Sequence, residues 1–336
     1  MTRLTRRAFA ASAAAMTALP ASALSGPWPA VAAEARALDQ CNSLLIHLDG
    51  VPVVAEVFRG PGLDRPAQIK SVSKTIVAAL TGAALDRGEL PSVDATLAEV
   101  APRLIPRDAD PRVGRISIED LVTMRAGLER TSGANYGAWV SSRDWVADAL
   151  SRPLIAEPGG RMLYSTGSFH VLGAVLSEVS GESLLSLART RLGRPLRIDI
   201  PAWTRDPQGR YLGGNEMALS PEHMVRFGDL YRRGGESGGT RVLSRDWVKR
   251  SFAPRTRSPF SGLDYGYGWF LGGRGRTGYA LARGYGGQVI VTAPGVGLTA
   301  AITSDPTRPA RSGGYFGQLM RLIEGAIIPA ARDEAA

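Results

Sequence analysis

Ile69-Lys70-Ser71-Val72-Ser73-Lys74, running on into Thr75-Ile76-Val77-Ala78-Ala79-Leu80, is the stretch around which the chain is organised. It sets a serine and a lysine three residues apart, Ser71 and Lys74, at the opening of an apolar run. Ile76, Val77, Leu80, Ala83 and Ala84 recur at helical spacing and predict one apolar face, with Gly88 as the C-terminal cap. Residues three apart are neighbours on a helix, so a lysine amine there can take the serine's proton once burial has lowered its pKa. Lysine usage sharpens the signal. Of the 40 basic residues only Lys70, Lys74 and Lys249 are lysines, and two of these flank Ser71. Arginine stays protonated in a protein, whereas a buried lysine gives up its proton readily. Lys70 is expected to be solvated or packed against the preceding loop.

With 336 residues, 44% hydrophobic and 21% charged, the chain has the composition of a globular protein with a substantial core. The formal net charge is +9, but basic residues are spread along the chain without blocks or interleaved aromatics, so no nucleic-acid partner is expected. A lone cysteine, Cys41, excludes an internal disulfide. The N-terminus reads as an address: Thr5-Arg6-Arg7-Ala8-Phe9, an alanine-rich run from Ala10 to Leu24, and small residues that offer cleavage after Ala23 or Ala33. This is the pattern of a twin-arginine export signal spanning 1–33, and it places the mature protein in the periplasm or outside the cell. No later run approaches the roughly 18 apolar residues of a membrane span, so no stable membrane insertion is expected once the signal is removed.

Along residues 34–336, two apolar runs, Leu44–Leu48 and Val53–Phe58, flank Asp49-Gly50 and predict a hairpin. The middle, about 91–215, reads as helices and loops and forms an inserted, mainly helical subdomain. It includes a helix capped by Ser117 and ending at Gly127, one over Asp144–Leu150, one over Ser168–Val179 closed by Gly181, and one over Ser183–Leu192. Pro221–Tyr231 predicts a further helix and Gly234–Gly239 a flexible loop. From Gly266 onward the pattern turns to strands, Tyr267–Phe270, Tyr279–Ala282, Val289–Thr292 and Leu298–Thr303, followed by a helix from Tyr315 to about Ile328. Strands at both ends of the chain must meet in one sheet. The fold class is therefore α/β in the broad, α+β sense: an antiparallel sheet flanked by helices, with the helical subdomain beside it.

Three short pieces then fall where the walls of one cleft could form: Ser71-Val72-Ser73-Lys74, Tyr164-Ser165-Thr166 and Tyr285-Gly286-Gly287-Gln288. Together they resemble the three motifs of the serine β-lactamase/DD-peptidase superfamily, in its class C-like branch. Spacers such as Ile118–Leu128, Ser220–Met224 and Tyr265–Trp269 agree over nearly the whole mature chain, and Tyr164–Gly173 is most similar to the 6-aminohexanoate-dimer hydrolase-like group. The resemblance implies acyl transfer through a covalent serine ester. Ser71 would be the nucleophile, Lys74 and Tyr164 would share the proton work, and the backbone N–H groups of Ser71 and Gln288 would form the oxyanion hole. It implies no metal and no other cofactor. Glycine at 286 and 287 would let the strand edge approach the substrate.

Two positions depart from the branch. Thr166 stands where β-lactamases carry asparagine, and Tyr285 where lysine or histidine usually meets the substrate carboxylate. Thr166, Arg283, Tyr285, Gly286 and Gly287 are the expected substrate-binding positions, with Arg283 a candidate replacement for the missing cation. The expected substrate is a small ester, linear amide or peptide-like molecule. A β-lactamase or D-Ala carboxypeptidase-like activity and a non-catalytic peptidoglycan-binding role stay open as alternatives. Gly235-Glu236-Ser237-Gly238-Gly239 matches a nucleophile-elbow pattern but follows a helix where that motif needs a strand. His47, His170 and His223 read as isolated, with structural or solvated roles.

Overall fold

The computed structural model describes residues 26–335. The expected twin-arginine motif, the apolar run after it and the Ala23 site all lie outside the described residues. Eight antiparallel strands form the main sheet: β1 (Cys41–Leu48), β2 (Val51–Val57), β3 (Thr256–Arg257), β4 (Asp264–Tyr265), β5 (Phe270–Gly272), β6 (Tyr279–Gly284), β7 (Gln288–Ala293) and β8 (Leu298–Ser304). Their order is β2-β1-β8-β7-β6-β5-β4-β3, so the N-terminal hairpin pairs with the last strand and closes the sheet across the chain. The hairpin turns where Asp49-Gly50 predicts, with φ of 48° and 86°, the left-handed pair that matches strand twist. Strands β3 and β4, two residues each, carry too little pattern to be read from the sequence.

Helices cover both faces. Along a strand, side chains alternate between faces. Asp229 of the helix Pro221–Arg232 meets Thr299 on one face, and Phe316 of the helix Tyr315–Leu322 meets Arg283 on the other. The predicted closing helix continues past Leu322 through a π-helical turn, Ile323–Ile327, to Glu334. Between β2 and β3 lie helices, loops and two short strand pairs, Ala67–Gln68 with Ala218–Leu219 and Glu236–Ser237 with Thr240–Arg241. The second pair replaces the loop expected at Gly234–Gly239: left-handed backbone at Gly238 and Gly239 makes a tight hairpin.

Two helices depart from the sequence reading in ways that matter for the site. The first, α1 (Trp28–Ala37), occupies the end of the segment read as signal. Trp28, Val31 and Ala35 point into the core at helical spacing, and the Trp28 indole donates to Glu334 at 2.7 Å. The second, α2 (Ser73–Asp86), starts on the expected stretch and stops at Gly88 with φ of 72°. Its apolar residues do not form one stripe: every side chain from Ser73 to Ala84 is buried. Such a helix is held by packing on all sides, with Ile76 and Leu80 each contributing about 2 kcal/mol of burial. Among the described residues no single helix is long and apolar enough to cross a membrane.

Candidate active site

Ser71 sits in a single 3-10 turn, Lys70–Val72, that feeds directly into α2. This turn is laced to a second segment. Ile69 donates its N–H to the Met217 carbonyl at 2.9 Å, and the Ser73 hydroxyl accepts from Met217 N–H at 3.2 Å while donating to the Lys70 carbonyl at 2.6 Å. Lys70 itself has φ of 50°, which aims its side chain at Glu216, whose φ is 66°. The two form an ion pair at 3.2 Å in the cavity wall. Lys70 is therefore neither solvated nor merely packed, as the sequence suggested, because its partner lies 146 residues away.

Lys74 is 2% exposed. Its Nζ lies 2.9 Å from Ser71 Oγ, 3.2 Å from Thr166 Oγ1 and 2.7 Å from the Gly214 carbonyl. Among the described residues no carboxylate pairs with it, so no opposite charge offsets the dehydration of the ammonium, and burial pushes its pKa from 10.5 down to about 7. Tyr164 is half-buried, with the Lys74 Nζ 5.0 Å from its ring centroid. Burial raises the pKa of its phenol, while a hydrogen bond with the Ser71 hydroxyl and the charge of Arg283 pull it back. Ser71, Lys74 and Tyr164 thus converge on one point.

Thr166 opens the helix α3 (Thr166–Ser180), two residues earlier than the predicted start at Ser168. It lines the cavity, but its side chain is committed. Its hydroxyl receives Lys74 and meets Ser132 Oγ at 3.0 Å, and its N–H donates to Ser132 Oγ at 2.8 Å. Where substrate contact was expected, the structure puts Thr166 on the lysine. Ser132, which lines the cavity beside it, was missed because no motif marks it.

The opposite wall is the end of β6. Gly284 packs so closely on the serine's turn that a Cβ there would stand 2.3 Å from the Ile69 carbonyl oxygen. Arg283 and Tyr285 both line the cavity. The Arg283 guanidinium lies 3.4 Å from the Phe316 ring centroid and donates to the Ala310 carbonyl at 3.2 Å. No carboxylate pairs with it among the described residues, and burial lowers its pKa to about 10, so it stays charged at neutral pH. Gly286, Gly287 and Gln288 fall elsewhere. They do not line the cavity. Gly286 and Gly287 have φ of 79° and 97°, and side chains there would strike the Asp305 carbonyl and the Tyr315 ring behind the strand. The glycines serve the turn's conformation and its packing, not an approach to substrate. Gln288 is fully buried, with its carboxamide donating to the Ser304 carbonyl at 2.7 Å and accepting from Ser304 N–H at 3.2 Å. The residues of this strand end that line the cavity with Ser71 are Arg283, Gly284 and Tyr285.

The cavity holds about 540 Å³. Arg130, Tyr136, Asn215 and Phe260 also line it, and Phe260 and Tyr285 are each 53% exposed. None of these four was singled out from sequence. They come from loops and one short helix scattered between residues 130 and 260, where pattern carries no signal. Among the described residues no group of three or more metal-ligating side chains gathers.

An antiparallel sheet covered by helices, with a Ser-x-x-Lys turn facing the end of an inner strand, is the architecture of the serine β-lactamases and penicillin-binding proteins. The chain belongs to the Beta-lactamase family, whose model matches residues 41–323. Among solved structures it is similar to a putative 6-aminohexanoate-dimer hydrolase from Bacillus anthracis, at 15% identity and a TM-score of 0.74, covering 88% of this chain and 80% of that one. It is also similar to EstCE1, described as a hydrolase with promiscuous acyltransferase activity, at 17% identity and a TM-score of 0.73, covering 90% of this chain and 98% of that one. A penicillin-binding protein homologue from Caulobacter crescentus matches at 16% identity with a TM-score of 0.71, covering 96% and 99%. At these identities the likeness speaks to fold.

Proposed function

We propose that the protein is an exported serine hydrolase that cleaves an ester or linear amide through an acyl-Ser71 intermediate. The observation that carries this reading is Lys74, a dehydrated amine with a pKa of about 7, set 2.9 Å from a serine hydroxyl. A neutral amine has two N–H bonds and one lone pair. With the Gly214 carbonyl and Thr166 Oγ1 accepting the two N–H bonds, the lone pair is left for the Ser71 proton.

Ser71 Oγ attacks the substrate carbonyl as its proton passes to Lys74. Lys74 hands that proton on to Tyr164 as Tyr164 delivers its own to the departing oxygen or nitrogen, so the alcohol or amine leaves and both groups return to their starting states. Water then repeats the sequence on the acyl-serine, releasing the acid and restoring Ser71. We assign the oxyanion donors to the backbone N–H groups of Ser71 and Tyr285 in place of Gln288, because Tyr285 lines the cavity and Gln288 does not.

A second reading rests on Arg283. A half-buried cation in the cavity wall, without a carboxylate partner among the described residues, suits a substrate that carries its own carboxylate, as β-lactams and D-Ala peptides do. Export is part of the proposal and rests on the Arg6-Arg7 pair and the run after it. The packing of Trp28 and Val31 favours processing after Ala23 over Ala33, since the latter would cut α1.

Intact-mass labelling with a fluorophosphonate tests the chemistry. One adduct mapped to Ser71, absent in Ser71→Ala, is expected. No adduct on folded protein would overturn the hydrolase reading and turn attention to muropeptide binding. Comparing turnover of p-nitrophenyl esters, a linear ω-amino-acid amide and a chromogenic cephalosporin then separates the two substrate readings.

A further inference from the structure

The Gly214 carbonyl, the nearest partner of Lys74, has to be held in place, and a buried pair behind it does this. His170 lies on the second turn of α3, and the side chains of His170 and Asp206 are both 0% exposed. His170 Nε2 lies 3.1 Å from Asp206 Oδ2, and the Gly213 N–H donates to His170 Nδ1 at 3.3 Å. An Nδ1 that accepts has no proton, so the ring carries its hydrogen on Nε2 and donates it to Asp206. The histidine read from sequence as isolated has a carboxylate partner 36 residues away.

Everything around the pair fixes it. Burial pushes the Asp206 carboxyl up, but the His170 hydrogen bond, the Arg210 N–H at 2.7 Å and the neighbouring charges outweigh this and hold it below the usual range. Trp139 and Trp145 stand edge-on to the imidazole, with centroids 5.8 and 5.6 Å away. Gly213 and Gly214 then lie directly on the first turns of α3. A Cβ at Gly213 would sit 2.2 Å from the Phe169 carbonyl, and one at Gly214 would sit 3.0 Å from that of Thr166. One helix thus supplies Thr166 to the lysine directly and Gly214 through the histidine.

We propose that His170 and Asp206 are positioning residues for the nucleophile's base: Asp206 locks the imidazole in its Nε2–H form, and the imidazole holds the Gly213 N–H so that the Gly214 carbonyl meets Lys74. This rests on the reading of Lys74 as the base. Without that carbonyl the amine can rotate, and its lone pair no longer faces Ser71.

The test is a matched pair of substitutions. His170→Gln keeps a donor toward Asp206 but offers Gly213 no acceptor. His170→Asn places its carboxamide oxygen where Nδ1 was and keeps that acceptor. The rate constant for fluorophosphonate acylation of Ser71 is expected to fall about a hundredfold in His170→Gln, with reagent affinity unchanged. His170→Asn is expected to stay within about threefold of the parent, a loss below one tenfold step. Equal losses in the two variants, or none in His170→Gln, would overturn the proposal.

Nitrogen-15 NMR of the unmutated, full-length protein gives a readout that needs no variant. His170 is expected to show a protonated Nε2 and a bare Nδ1, and the reverse pattern would overturn the proposal even if the variants fail to fold. An unmutated protein that takes no label while showing the expected imidazole spectrum would sink the acyl-serine reading itself. A labelled parent with indistinguishable variants would sink the positioning role alone.

Discussion

If Lys74 is the base, protonating it should switch acylation off along a defined curve. With a pKa of about 7 the amine is about nine-tenths neutral at pH 8, whereas a lysine at its ordinary 10.5 would be about 0.3% neutral. The rate constant for fluorophosphonate labelling of Ser71 should therefore rise about tenfold per pH unit below 7 and level off above it. At pH 5 it should sit about a hundredfold under the plateau. The same group leaves a mark on stability. Between pH 7 and 10.5 the unfolded chain holds the Lys74 proton and the folded chain does not, so the unfolding free energy gains up to about 1.4 kcal/mol per pH unit from this residue. The sign is that of a depressed amine: the penalty is complete below about pH 7 and fades as pH rises toward 10.5. Urea unfolding at pH 8 and pH 9.5, compared between the parent and Lys74→Met, isolates the contribution because other titrating groups cancel. A labelling rate flat from pH 5 to 9, or parallel stability curves for the two proteins, would refute the reasoning.

Tyr164→Phe should keep the fold and lower acylation by about a hundredfold or more, the usual worth of one proton-transfer group, as read by labelling kinetics against the circular dichroism spectrum. Gly284→Ala forces a Cβ to 2.3 Å from the Ile69 carbonyl, so it should displace the serine's turn, lowering the melting temperature and the labelling rate together; a fully active, equally stable variant would show that the strand end and the turn yield easily. Arg283→Met should raise KM for carboxylate-bearing substrates while sparing neutral esters, and an equal effect on both would mean that the guanidinium only tethers the chain at Ala310 and Ser312.

Much of this molecule is legible in its sequence, wherever the signal is local. Asp49-Gly50 fixes a turn by its own backbone preferences, Gly181 closes α3 with φ of 69°, and Ser220 caps the helix that follows it. Ser71, Lys74 and Tyr164 stand out because the motif is short and lysine is rare. What escapes is whatever depends on a distant partner. Asp206 gives no sign of His170, and Glu216 none of Lys70. The paired glycines mislead for the same reason: Gly286 and Gly287 answer to Asp305 and Tyr315 behind them, and only the packed structure shows on which side the crowding lies. In α1 a local signal is present but a stronger one overlies it. Trp28, Val31 and Ala35 repeat at helical spacing, yet they follow an export signal that invites reading the whole segment as removable.

The sealed surroundings of α2 bear on how such a protein can change over generations. From Ser73 to Ala84 each side chain is gripped by neighbours, so a volume change there strikes the core before it reaches any substrate. Arg130, Tyr136, Phe260 and Ala310 stand on one short helix and on loops, where exchange disturbs few buried contacts. On the proposed function, chemistry and selectivity then fall to separate, independently mutable parts. A combinatorial library at those four positions should yield altered substrate ranges without loss of expression, whereas one of equal size in α2 should yield mostly insoluble chains.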